Sequence, residues 1–298
     1  MFFSLWLGIV LADGMTGCAT PNSQPQTASA PPQEMSQQAF PPPPSAPVPA
    51  PRGARRNPDF DSLPKVPSPG AKVTYSSVHV NGPYIAITFD DGPHHANTPK
   101  LLDMLRERNI KATWFVVGEM VREHPELVRR ILAEGHEIGN HTMTHPLNIT
   151  RLSHEKLEEE VGGTAKLLED IAGYHSRLFR PPGGNTNPEI KQWLYDKYGY
   201  STILWSVDPN DWKRPGVSVV AHRLIAGAHN GAILLCHDIH APTIAAMPET
   251  LDTLLAKGYH FVTVSQLINM ETSAASASAT PAAVSPPASP APTPPAGS

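Results

Sequence analysis

Two carboxylates, Asp90 and Asp91, stand side by side where the apolar run Tyr84 to Phe89 comes to an end. Adjacent carboxylates repel unless a cation or a basic partner keeps both ionised, so the pair suits one metal ligand and one base. Downstream, Asn140-His141-Thr142-Met143-Thr144-His145 supplies two imidazoles four positions apart. Asp91, His141 and His145 would form a three-ligand set with a fourth position left for water, the arrangement a hydrolytic metal site needs. Each part alone has a plainer use. Asp-Asp-Gly-Pro ends a strand as an ordinary turn, and a chain with 14 His carries chance pairs, so only the combination points to a metal site.

Three further segments carry chemistry. Arg180-Pro181-Pro182-Gly183-Gly184 puts a guanidinium before a stiff turn with exposed backbone. Arg180 could clamp Asp90 in its ionised form, and the Gly183 N–H could face a developing oxyanion; a solvated Arg in a loop is the alternative. Leu234-Leu235-Cys236-His237-Asp238 ends an apolar run with a histidine, a suitable general acid if a carboxylate such as Asp208 raises its pKa. Trp212, after Asp208-Pro209-Asn210-Asp211, reads either as the wall of a small apolar pocket or as core.

These residues need a scaffold that brings distant segments together. Strand-like runs occur at Tyr84–Phe89, Ala112–Val117, His136–Gly139, Leu178–Arg180, Ser201–Val207, Ala232–Cys236 and His260–Val264. Helix-like runs lie between them: Thr98–Arg108, Glu126–Glu134, a long one from the N-cap Ser153 towards Asp170, Asn187–Tyr198, Val219–Ala228 and Pro248–Lys257. Gly162-Gly163 would interrupt the long one. Alternation of this kind predicts an α/β fold with a parallel sheet covered by helices. Asp90 and Asp91, the His141/His145 pair, Arg180 with its Pro-Pro-Gly-Gly, Asp208 with Asp211, and His237 stand at five separate strand ends. Such ends converge in a barrel, whereas an open sheet gathers its site at one switch point.

Thr88–Gly92, His141–His145, Arg180–Gly184, Asp208–Trp212 and Leu235–His237 resemble, in order and spacing, the motifs of NodB-homology polysaccharide deacetylases, carbohydrate esterase family 4. The resemblance covers about Tyr84 to Ile268. It implies a distorted (β/α)7-type barrel that removes N-acetyl groups from an amino-sugar glycan, peptidoglycan-type N-acetylglucosamine foremost. Removal of O-acetyl esters from xylan-like glycans is the second reading, and a non-catalytic glycan-binding module the third. By resemblance Asp90 is the base, Arg180 orients it, and Asp91, His141 and His145 hold a divalent metal. Gly183 lends its N–H to the oxyanion, His237 is the acid tuned by Asp208, and Leu235 with Trp212 lines the acetyl methyl pocket. Zn²⁺ is the expected ion, with Co²⁺ and Ni²⁺ also matching these ligand types. Many family members carry an aromatic residue where Gly183 stands, so this wall is expected to be wider.

The ends of the chain read differently. From Ala19 to Gly70 it is crowded with Pro, Ser, Ala and Gln, and from Thr272 to Ser298 it is nearly all Ala, Ser, Thr, Pro and Gly. Both segments offer too little apolar surface to offset the entropy of ordering, so residues 19–71 are expected to be a disordered Pro-rich linker and 272–298 a disordered tail. Residues 72–271 remain for the catalytic domain. Phe2 to Ala12 and Met15-Thr16-Gly17-Cys18 have the dimensions of a secretory signal, and the small residues before Cys18 resemble a lipoprotein cleavage box. Residues 1–18 therefore imply export to a bacterial envelope, with a membrane link through lipid on Cys18, or secretion. The formal net charge of −4 gives no reason to expect a nucleic-acid partner, and a monomer is expected. Cys236 lies in an apolar run, so no disulfide is expected in the mature domain.

Overall fold

A computed structural model describes residues 73–278, so the expected signal segment with Cys18, the whole of the linker and the end of the tail lie outside the described residues. The chain starts with β1 (Thr74–Tyr75) and β2 (Tyr84–Asp90), followed by α1 (Thr98–Glu107) and β3 (Thr113–Val116). Two helices, α2 (Gly118–Glu123) and α3 (Pro125–Ala133), lead to β4 (Glu137–Asn140). Next come α4 (His154–Leu157), a π-helical turn (Glu158–Gly162), α5 (Gly163–Ala172) and β5 (Leu178–Phe179). Then α6 (Pro188–Tyr198), β6 (Ser201–Ile203), α7 (Val217–Gly227) and β7 (Ile233–His237) alternate. The described chain closes with α8 (Ala241–Ala256), β8 (His260–Phe261) and α9 (Val264–Ser278).

The strands pair in the order β1-β6-β5-β4-β3-β2-β7, with β8 also on β2, and every ladder between named strands is parallel. Single bridges from Ser77 to Ala232 and from Val207 to Leu234 link the two sides of the sheet. This curved parallel sheet with its surrounding helices is the expected distorted (β/α)7-type barrel. In a parallel arrangement all strands end at the same mouth. In register, Asp90 on β2 lies beside Phe115 of β3 and His237 of β7, which sets the first carboxylate and the histidine at one level.

Helices cover the sheet through apolar stripes. Leu101, Leu102 and Leu105 share one buried face of α1, as their spacing predicts, and meet a core that includes Ile87, Phe89, Trp114, Val128 and Ile131. Ser153 accepts the Lys156 N–H as the expected N-cap. Gly162-Gly163 does not break the chain there; the backbone widens into the π turn and resumes as α5.

Other elements differ from expectation. The two-residue β1 is too short to show a period, and α2 follows β3 so closely that its pattern merges with the strand. α8 starts at Ala241, not Pro248: Pro242 takes the first-turn position where a missing N–H costs nothing, and Pro248 sits inside the helix. α9 continues to Ser278, past the expected domain end at Glu271, through a stretch whose alanines favour helix.

Gly231 marks a tight crossing. Its N–H donates to the Tyr84 carbonyl at 2.7 Å and its carbonyl accepts from Val78 N at 2.9 Å. It holds φ +77, and a Cβ there would lie 1.7 Å from the Val78 carbonyl oxygen. Gly231→Ala should cost about 2–3 kcal/mol through strain and a displaced backbone contact, lowering the unfolding temperature by about 5–10 °C in a circular-dichroism melt.

Candidate metal and hydrolytic site

The mouth of the barrel begins where β2 ends. Asp91 takes φ +73, and in the loop after β4 Thr142 and His145 take φ +70 and +59. Left-handed conformations of this kind cost energy in residues with a Cβ, so they persist only where neighbours hold them. Here the Thr142 N–H donates to Asn140 Oδ1 at 2.9 Å and the His145 N–H to Thr142 Oγ1 at 3.1 Å. Glu160, in the π turn, accepts from Met143 N at 2.9 Å, Thr144 N at 2.8 Å and Thr144 Oγ1 at 2.7 Å. From the other side, the α2 N–H groups of Gly118 and Glu119 donate to the carbonyls of Thr142 and Met143. Glu160 lies outside the five motifs, and the Gly-Gly pair beside it is its one local signal, since π turns gather at functional sites.

Held this way, the loop brings His141 Nε2 to 3.5 Å and His145 Nε2 to 3.4 Å from Asp91 Oδ1. One ligand atom from each of the three residues lies within 4.8 Å of the others. His141 Nδ1 is 2.7 Å from the Arg180 carbonyl. Donation to that carbonyl places the proton on Nδ1 and leaves the Nε2 lone pair toward Asp91. Asp91 Oδ1 is buried without a hydrogen-bond partner. Burial raises its pKa, yet His141, His237 and His145, when protonated, outweigh burial and hold the carboxyl well below the usual range. An ionised, orphaned oxygen between two imidazole nitrogens is a donor set that fits a divalent cation.

Beside this triple lies a buried ion pair. Arg180 Nη1 donates at 2.7 Å to both Asp90 Oδ1 and Thr88 Oγ1. Nε and Nη2 donate to the carbonyls of Ile203 and Leu204 at 3.2 and 3.1 Å, and the guanidinium lies 4.0 Å over the Phe115 ring. Asp90 Oδ2, the oxygen Arg180 leaves free, is 3.6 Å from His141 Nε2.

The third group corrects the expectation for Asp208. The carboxylate against His237 is Asp211: Oδ1 lies 2.7 Å from His237 Nδ1, and Oδ2 accepts from His237 N and Thr243 Oγ1, each at 2.8 Å. Asp208 is spent on its own turn, accepting from Asn210 N at 2.7 Å, as Asp side chains do two residues ahead of a bend. Both acids were legible in the motif; which one reaches the histidine depends on the left-handed Asn210 between them. Burial alone would lower the pKa of His237, but Asp211, helped by Asp90 and Asp91, raises it to about 9.

The remaining expected residues sit around these. Leu235 is buried within β7, whereas Trp212 is 53% exposed with Lys213 Nζ 4.7 Å from its ring centroid. Gly183 has φ +60 in a turn closed by the Gly184 N–H to the Pro181 carbonyl. Asp90, Asp91, His141, His145, Arg180 and His237 thus meet at one mouth, and Asp208 stands aside.

Comparison with known proteins agrees with this arrangement. A family model for polysaccharide deacetylase matches residues 77–203. A peptidoglycan-N-acetylglucosamine deacetylase of Bacillus cereus is 44% identical over 193 residues, covering 63% of this chain and 89% of that protein. The peptidoglycan-N-acetylglucosamine deacetylase PgdA of Listeria monocytogenes is 42% identical over 183 residues, 61% of this chain, which spans only 38% of that longer protein. The crystal structure of the Bc1960 peptidoglycan N-acetylglucosamine deacetylase superposes with a TM-score of 0.63 at 31% identity, covering 66% of this chain and 92% of that one. With matching fold and motif order, and a 44% identical relative covered over 89% of its length, the chain belongs to the polysaccharide deacetylase family, the NodB-homology group of carbohydrate esterase family 4.

Proposed function

We propose that this protein is a metal-dependent deacetylase that releases acetate from N-acetylated amino sugars of a polymer, peptidoglycan-type N-acetylglucosamine foremost. The observation that carries the reading is the register of β2 and β7, which sets Asp90 beside His237 next to the Asp91, His141 and His145 triple. A base and an acid at one level, beside a cation site, are the requirements of amide hydrolysis. The relatives named for peptidoglycan favour the substrate class, and the signal-like segment ending at Cys18 favours work in the cell envelope.

Asp91, His141 and His145 would hold the ion, which when bound supplies Lewis acidity toward water and the acetyl carbonyl. Zn²⁺ suits this set, and Co²⁺ or Ni²⁺ would also be accepted. Asp90, anchored through Oδ1 by Arg180, keeps Oδ2 free to take the proton of the attacking water. The Gly183 N–H is the donor assigned to the oxyanion of the tetrahedral intermediate. His237, protonated at neutral pH because of Asp211, hands its proton to the departing amine. Water adds to the carbonyl carbon, the C–N bond breaks, and acetate and a free amino sugar leave.

The test is acetate release from N-acetylglucosamine oligomers, peptidoglycan and acetylxylan, before and after chelation and with metal restored. Loss with chelator and recovery with Zn²⁺ is expected on the amino-sugar substrates; preference for acetylxylan would move the reading to O-acetyl esters, and metal-independent binding with no acetate would make the protein a glycan-binding module. Asp90→Asn should lower kcat by about 10²–10⁴-fold while metal, counted by mass spectrometry after dialysis, stays bound. His141→Ala should lose activity and metal together.

Asp211→Asn addresses the acid. In metal-free protein the His237 imidazole, followed by NMR, should titrate not near 9 but closer to its ordinary 6.5. A raised pKa keeps the acid form available as pH climbs, so its loss should shift the alkaline limb of kcat/KM to lower pH. At about pH 8 the variant should be at least about tenfold slower.

A further inference from the structure

We propose that Leu147 is a specificity-determining residue of the glycan cleft, an apolar platform for the C–H face of a sugar ring next to the one being deacetylated. The inference rests on the deacetylase reading above and adds to it a contact that selects polymer over single sugar. Leu147 is 62% exposed, the most exposed large apolar side chain among the described residues. It stands two positions after His145, at the mouth of the site.

Its placement is built. Asn185 Nδ2 donates to the Leu147 carbonyl at 3.0 Å, tying the loop after β4 to the loop after β5. A Cβ on Gly183 would lie 3.2 Å from Leu147 Cδ2, so the leucine covers the bare backbone of this glycine, whose φ of +60 lies in the left-handed region. Leu147 thus supplies, from the neighbouring strand's loop, the side chain that Gly183 lacks. Trp212, the second most exposed large apolar residue, follows β6, and β5 lies between β4 and β6 in the sheet. Scattered exposed apolar residues are ordinary. Here the two most exposed stand on the loops flanking the Gly183 turn, and one is pinned by a hydrogen bond. Pyranose rings present apolar C–H faces between polar rims, and a rigid apolar surface binds such a face with little ordering cost.

The experiment uses the metal-loaded full chain and the N-acetylglucosamine tetramer. Leu147→Ser should raise KM about three- to tenfold, more than it lowers kcat, while Leu147→Met stays within about twofold of wild type. In an Asp90→Asn background, calorimetric affinity for the tetramer should fall by the same factor on adding Leu147→Ser. Equal KM and equal affinity would overturn the proposal, as would a loss confined to kcat with lowered metal content, which marks a structural role. If the wild type binds the tetramer in a Leu147-dependent way but releases no acetate, the platform stands and the hydrolytic reading falls. Absence of both binding and acetate release overturns both.

Discussion

One guanidinium holds the site together. From the end of β5, Arg180 reaches Thr88 and Asp90 of β2, stacks on Phe115 of β3, donates to carbonyls at the end of β6, and offers its own carbonyl to His141 just after β4. Burying a charge without partners costs many kcal/mol, so this Arg is tolerable only because a carboxylate, a hydroxyl and two carbonyls receive its protons. The consequence is geometric. Asp90 is turned so that one oxygen is bound and the other free, and His141 is fixed in the tautomer that aims Nε2 at Asp91. A lysine could not do this, because a single ammonium has no planar fork with which to span strands on both sides.

Strain is the second constraint. Three residues with a Cβ, Asp91, Thr142 and His145, occupy left-handed backbone at the candidate cation site; within the loop after β4, Asn140 and Thr142 side chains hold the Thr142 and His145 N–H groups, and Glu160 holds the two N–H groups between them. Glu160 reaches that loop because the π turn inserts an extra residue between α4 and α5. The helix gives up regular hydrogen bonding there, and the loop after β4 gains a carboxylate that ties down two successive N–H groups. This places precision at the ligands and irregularity in the helix behind them.

Buried carboxyls show how partners divide chemical roles. Asp211, with His237 and Thr243 against it, stays below the usual carboxylate range despite burial. Asp238, one residue past His237, is equally buried, and desolvation pushes it up to about 7 although Thr98 and Trp114 donate to it. Cationic partners, not burial alone, decide which acid remains ionised. The same contact that keeps Asp211 charged keeps His237 protonated.

Much was legible in the chain itself, because residue type and period are local properties. Seven strand runs, the α1 stripe of Leu101, Leu102 and Leu105, the Ser153 cap and the five strand-end motifs all follow from side-chain chemistry read within short windows. What the windows could not contain is contact between distant segments. Asp211 outcompetes Asp208 for His237 through a left-handed Asn210, Glu160 meets the metal loop through a π turn, Leu147 fills space above Gly183, and β1 exists only by pairing with β6. The linear chain determined which groups were available and that they would sit at strand ends; the tertiary fold decided which partner each one meets, since hydrogen bonds and ion pairs depend on distances held to within a few tenths of an ångström, which no spacing along the backbone encodes.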